Sequence, residues 1–152
     1  VKTRTYVDTS AIAGCLDEEF REYSEKLLES FASGDSVLLL SDLTLRELEK
    51  APVSVRQVLE QVPEQSIEVV SLNEESAELA QAYIESDVVS VNMLIDAQHI
   101  AVATVERADV LVSWNFRHIV NLHRIHGYNS VNIRRGYPML EIRSPREVMK
   151  NE

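Results

Sequence analysis

Ser36-Val37-Leu38-Leu39-Leu40-Ser41-Asp42 holds four aliphatic residues in a row between polar ends. A strand wet on one face would alternate apolar and polar residues. An unbroken run this short, closed by cap-forming residues, reads as a strand buried on both faces, as in a parallel sheet. Ser41 and Asp42 can cap a helix running to about Lys50; Pro52 breaks it, and helix resumes from Ser54 to Val62. Upstream, Gly34-Asp35 ends a helix predicted from Asp17 to about Ser33, where Phe20, Tyr23, Leu27, Leu28 and Phe31 recur at helical spacing. Before it, Thr3 to Asp8 reads as a short buried strand ending in an acid, with Thr9 and Ser10 offering cap oxygens.

The same alternation continues downstream. Ile67 to Leu72 is a third strand, and Asn73 caps a helix with Ala77, Ala80 and Ile84 on one side. Met93 to Glu106 is strongly helical, with Ile95, Ile100, Ala103 and Thr104 expected at its inner face. Val110 to Val112 is a fourth strand, Asn121 to His126 a helix expected to stop at Gly127, and Met139 to Ile142 a last extended segment. Strands that alternate with helices predict an α/β fold, a three-layer α/β/α sandwich with a mainly parallel central sheet of four to five strands. The 152 residues suit a single domain, 1–152.

Composition removes several function classes. Four glycines (Gly14, Gly34, Gly127, Gly136) lack the spacing of a dinucleotide-binding turn or a P-loop. One cysteine, Cys15, excludes an internal disulfide framework and a multi-cysteine zinc site. No apolar run is long enough for a membrane span and no basic-then-apolar leader opens the chain, so the expected location is cytoplasmic. The net charge of −10 argues against tight nonspecific nucleic-acid binding. Its distribution is uneven. Residues 113–152 carry seven bases (Arg117, Arg124, Arg134, Arg135, Arg143, Arg146, Lys150) and three acids, a net of +4, whereas residues 1–112 are at −14. The tail is either a solvated surface paired with an acidic body or a phosphate-facing patch beside an acidic site.

Ligands of open parallel sheets bind at the carboxyl ends of the strands. Asp8 lies at that end of strand one. Glu47 sits one to two turns into the helix after strand two, and Asp96 near the start of the helix that returns to strand four. Asn115 follows strand four, while Asp109 precedes it and belongs to the opposite edge. Each has a plain structural alternative: a cap for Asp8, a surface position for Glu47, a first-turn helix acid for Asp96, a turn for Asn115. Their convergence on one edge is what points to chemistry. Carboxylates gathered there repel one another, and a hard cation such as Mg²⁺ or Mn²⁺ offsets that repulsion. Such an ion can orient a water and neutralise a phosphate oxygen, which suits phosphodiester hydrolysis.

Thr5-Tyr-Val-Asp8-Thr-Ser, Ser41-Asp-Leu-Thr-Leu-Arg-Glu47-Leu, Asp96-Ala-Gln-His-Ile-Ala-Val-Ala and Ala108-Asp-Val-Leu-Val-Ser113-Trp-Asn115-Phe together resemble a PIN domain. This is the nuclease fold of many VapC-type toxin–antitoxin ribonucleases. The pieces keep the family's order over roughly residues 3 to 120. The resemblance implies an α/β/α sandwich, Mg²⁺ or Mn²⁺ dependence and cleavage of single-stranded RNA to a 5′-phosphate and a 3′-hydroxyl. It makes Asp8, Glu47 and Asp96 the metal-binding acids and puts Ser113 at the hydroxyl position just before the family's fourth acid. Arg117 and His118 are expected to steady the substrate phosphate. It also implies an antitoxin partner and a homodimer. Asn115 stands where many members carry the fourth acid, which favours one-ion over two-ion catalysis. The alternative is a PIN-like module that binds RNA or a protein partner without cutting.

Other readings fit less well. A receiver domain needs an acidic pair after strand one and an acceptor Asp after strand three, but strand three runs into Ser71-Leu72-Asn73. A haloacid-dehalogenase-type phosphatase needs Asp-x-Asp where this chain has Asp8-Thr-Ser10. His118, His123 and His126 lack the cysteines and spacing of a zinc site, and Trp114 is expected to pack rather than to stack on a base.

Overall fold

The computed structural model describes residues 1–150. Five parallel strands form one sheet: β1 (Thr3–Val7), β2 (Ser36–Ser41), β3 (Ile67–Val70), β4 (Val110–Val112) and β5 (Ile142–Arg143), in the order β3-β2-β1-β4-β5. Tyr6 lies opposite Leu39 on one side and Leu111 on the other. Side chains alternate across the pleat. Tyr6, Leu39 and Leu111 enter one core with α5 (Glu74–Glu85), α6 (Leu94–Val105) and α7 (Leu122–Arg134). Val7, Leu38, Leu40, Val110 and Val112 enter the other. There they meet α1 (Thr9–Ala13), α2 (Arg21–Ala32), α4 (Val53–Leu59) and α8 (Pro145–Met149). The run Val37–Leu40 is apolar throughout because both faces of its strand are covered. This is the α/β/α sandwich expected, with five strands among the described residues, all paired in parallel.

Caps set where the helices begin. Asp8 accepts from Ala11 N at the start of α1, Ser41 from Thr44 N at the start of α3 (Asp42–Glu49), and Asn73 forms a capping box with Ser76 at α5. Two of these three caps end a strand, so the strand-to-helix turns at the carboxyl edge are tight and polar. At the opposite edge Arg4 holds Glu68 at 2.7 Å, and Asp109 accepts from the Arg4 backbone N at 2.8 Å. Asp109 is thus remote from the carboxyl edge, as its place before β4 requires.

Several boundaries differ from the sequence expectation. Asp17 accepts the Glu19 N–H through its side chain, making a turn, so α2 starts at Arg21. β3 ends at Val70, and the last strand is Ile142–Arg143 rather than Met139–Ile142, with Met139 exposed. Ile95 is exposed, not on the inner face of α6, because it sits about 140° around the helix from Ile100. The helix expected to stop at Gly127 continues to Arg134. Gly127 serves close packing: a Cβ there would lie 2.8 Å from Val88 Cγ1. The glycine that ends α7 is Gly136, at φ +85.

Candidate active site

The chain leaves β1 toward β2 and β3, then crosses back to β4 and β5, so the topological switch lies between β1 and β4. In open α/β sheets the carboxyl side of that gap is where ligands bind. Asp8 follows β1 and Ser113 follows β4, and they meet across it: Ser113 Oγ donates to Asp8 Oδ2 at 2.6 Å. Asp8 Oδ1 accepts from Ser10 Oγ at 2.7 Å and from Ala11 N at 3.2 Å. Asp8 is only 6% exposed. Burial raises its carboxyl above the usual range, while the His99 charge and the Ser113, Ser10 and Ala11 hydrogen bonds pull the other way.

Asp96 stands in the first turn of α6 and Glu47 on α3, where Thr9, the residue after Asp8, donates to it. Burial raises the Asp96 carboxyl first; His118 and His99 oppose this, and the charges of Asp8 and Glu47 add to it. Asp96 is thus the acid whose shift includes the charges of the other two. Glu47 is the exception in direction. Burial pushes it up, but hydrogen bonds from His99 and Thr9 together with the His99 charge outweigh that, and its net shift is downward. Those bonds both fall on Oε1, from Thr9 Oγ1 at 2.7 Å and His99 Nε2 at 3.2 Å.

Asn115 does something the sequence did not disclose. Its Oδ1 accepts the backbone N–H groups of Arg117 (3.2 Å) and His118 (3.0 Å), and its own N–H donates to Ser113 Oγ at 2.9 Å. The amide oxygen is thus committed to holding the turn after β4. Arg117 is exposed; His118 Nδ1 is buried without a hydrogen-bond partner. Trp114 packs as expected, stacked on Phe20 at 4.2 Å and donating from Nε1 to Ser24. The basic tail divides. Arg124 reaches Val88 O and Arg134 reaches Ser86. Arg143 and Arg146 line a cavity of about 600 Å³ beside Trp114 and Phe116, where Arg143 also pairs with Glu141.

The fourth histidine was missed. His99, three residues after Asp96 and so on the same helix face, is 2% exposed and links Glu47 to the core. Its Nδ1 lies 2.6 Å from Tyr6 Oη, which lies 2.7 Å from Ser41 Oγ. The i,i+3 spacing from Asp96 was the available signal.

The donor set bears on metal binding. Among the described residues no three His, Cys, Asp or Glu side chains are arranged to hold one ion directly. His123 and His126 are exposed and form no zinc cluster with His118. The acids supply only hard oxygen donors. Two of the three carry raised carboxyls, to which the neighbouring acids contribute in the case of Asp96. That chemistry fits Mg²⁺ or Mn²⁺, which keep several waters and can be held partly through them.

The profile of the PIN domain family matches residues 5–119. The chain belongs to the PIN domain family. In three dimensions this PIN domain is similar to a chain of VapBC2 from Rickettsia felis bound to a promoter DNA fragment. The TM-score is 0.57 at 14% identity, covering 93% of this chain and 98% of that one. It is similar to VapC20 of Mycobacterium tuberculosis, described as a sarcin–ricin loop cleaving toxin (TM-score 0.55, 14% identity, 90% and 98% covered). FitAcB from Neisseria gonorrhoeae gives 0.56 at 17% identity, with 93% and 97% covered. At these identities the likeness establishes the fold. No curated protein matches the sequence. No helix among the described residues is long and apolar enough to cross a membrane.

Proposed function

We propose that this PIN domain is a Mg²⁺- or Mn²⁺-dependent endonuclease acting on single-stranded RNA, the toxin member of a toxin–antitoxin pair. The observation that carries the reading is the contact of Asp8 with Ser113 across the β1–β4 switch point at 2.6 Å, with Glu47 tied at 2.7 Å to Thr9, the residue after Asp8. Asp8, Asp96 and Glu47 would hold the ion, in part through water. A bound dication would supply Lewis-acid activation of a water and charge neutralisation at phosphorus.

The chain's own residues divide the remaining work. Asp8 is a fixed anchor, with both oxygens occupied by hydrogen bonds. Asp96, its affinity for protons raised, takes the proton released by the attacking water on a carboxylate oxygen. Ser113 donates to Asp8 Oδ2, which holds the carboxylate in place and favours its charged form against burial. Arg117 offers a bidentate donor to a phosphate, with His118 beside it. Transfer of the water proton to Asp96 accompanies in-line attack on phosphorus; the P–O3′ bond breaks and the leaving 3′-oxygen takes a proton from solvent water, giving a 5′-phosphate and a 3′-hydroxyl.

The neighbours support the biological setting: one is described as cleaving the sarcin–ricin loop, and another is a VapBC assembly on promoter DNA. An antitoxin partner, a homodimer, a single 1–152 domain and a cytoplasmic location go with this reading. A non-cutting PIN-like module is the second reading, favoured by the commitment of Asn115 Oδ1 to the turn. An RNA cleavage assay with Mn²⁺ or Mg²⁺ separates the two. Cleavage abolished by EDTA and by Asp8→Asn is expected; undiminished cleavage by Asp8→Asn rejects the site, and no cleavage of any mixed RNA substrate favours the binding module.

A further inference from the structure

Glu47 accepts hydrogen bonds from two groups that differ in origin. Thr9 belongs to the turn that follows Asp8, so its 2.7 Å bond ties Glu47 to the neighbouring acid's own helix. His99 belongs to α6, the helix of Asp96, and is buried in the core that contains Tyr6. A carboxylate only accepts, so the 3.2 Å contact requires a proton on His99 Nε2. The other ring nitrogen faces Tyr6 Oη at 2.6 Å, and Tyr6 Oη faces Ser41 Oγ at 2.7 Å. The hydroxyls can orient to serve either state of Nδ1. With a neutral ring, Ser41 donates to Tyr6 and Tyr6 donates to Nδ1. In both states Nε2–H points at Glu47. Ser41 is itself fixed, accepting the Thr44 N–H as the N-cap of α3, the helix that carries Glu47.

The result is a closed loop: β2, β1, α6 and α3 joined through Ser41, Tyr6, His99 and Glu47. We propose that His99, oriented by Tyr6, is a positioning residue that fixes the Glu47 carboxylate for ion binding. Its bond falls on Oε1, as does that of Thr9, and Oε2 takes no hydrogen bond among the described residues. The inference rests on the metal-dependent nuclease reading and adds a role to residues outside the acid set. Imidazoles and carboxylates that orient direct ligands commonly change ion affinity by about 10- to 100-fold.

The test is Mn²⁺ binding by full-length protein, followed by the loss of the free-ion electron paramagnetic resonance signal, a readout that needs no turnover. His99→Leu keeps the volume and removes the donor; an affinity loss of about 10-fold is expected. His99→Gln, whose amide can donate to Glu47, is expected to recover part of it. Tyr6→Phe keeps the ring and removes only the hydroxyl, and a smaller loss is expected. It serves as the decisive variant if His99→Leu fails to fold, as judged by circular dichroism. In a Glu47→Gln background, Tyr6→Phe and His99→Leu should have no further effect, because they act through Glu47. Wild-type protein that binds Mn²⁺ together with equal binding by Tyr6→Phe and His99→Leu overturns the positioning role alone. An effect that persists undiminished in Glu47→Gln also overturns it. Wild-type protein that binds no Mn²⁺ overturns the nuclease reading and this inference with it.

Discussion

Ser113→Ala tests the centre of the site without touching an acid. The hydroxyl is fully buried and does two things: it donates to Asp8 Oδ2 at 2.6 Å and accepts the Asn115 N–H at 2.9 Å. A hydrogen bond to a buried carboxylate is worth about 1.5–3 kcal/mol, and an amide left without an acceptor costs about 1 kcal/mol where water has partial access, as at Asn115. The expected loss is about 3 kcal/mol, or about 6–12 °C of Tm for a chain of this size. Urea unfolding should show a lower midpoint at an unchanged slope. The pH dependence sharpens the test. Burial holds the Asp8 carboxyl above its ordinary value, and the Ser113 bond pulls it back. A group raised in the folded state contributes stability that is complete below its unfolded pKa and is lost as pH rises through the folded one. Ser113→Ala raises the folded value further and enlarges that loss. The deficit should therefore be smaller at about pH 4 than at about pH 7. A Tm loss under about 2 °C, or an equal deficit at both pH values, would refute the claim that Ser113 supports an ionised Asp8.

Asp8→Asn should abolish ion-dependent cleavage yet raise Tm at neutral pH, since the amide keeps the cap and removes a buried charge that repels Asp96; paired cleavage assays and thermal melts check this. Glu47→Gln should cost no more than about 1 kcal/mol, discounted because Glu47 is half exposed. The Glu47 carboxyl is lowered in the folded state, so this contribution is present above its ordinary value and lost as pH falls through the folded one. Melts of the two proteins should converge in acid and separate above it. Gly14→Ala should destabilise by about 2 kcal/mol or more and red-shift tryptophan emission. The added Cβ would sit 2.6 Å from Trp114 Nε1 and against Ser24 Oγ, splitting that hydrogen-bonded pair.

The fold was legible because its signals are local and redundant. Val37–Leu40 could only be a doubly covered strand, and Ser41 and Asn73 each announced a helix that began where expected. Gly127 misled because a glycine used for close approach looks, in sequence, like one used to stop a helix. Edge placement alone puts Asp8, Glu47, Asp96 and Asn115 at one end of the sheet, whereas Ser113 follows only from the resemblance to the PIN family. His99 was hidden because a buried histidine on an apolar helix looks like core filling. Its bonds to Tyr6 and Glu47 span 93 and 52 residues, and no spacing rule covers such distances. The commitment of the Asn115 amide oxygen also required coordinates, since the same residue could have pointed into the cleft.

The turn after β4 carries an evolutionary consequence. Its two backbone donors bind the Asn115 side-chain oxygen as a cap, and an aspartate carboxylate satisfies such donors equally well. Asparagine and aspartate codons differ by a single nucleotide. A lineage built on this loop can therefore gain or lose one negative charge at the mouth of the cleft while the backbone stays put, so the strength of the acidic site drifts independently of the architecture that holds it.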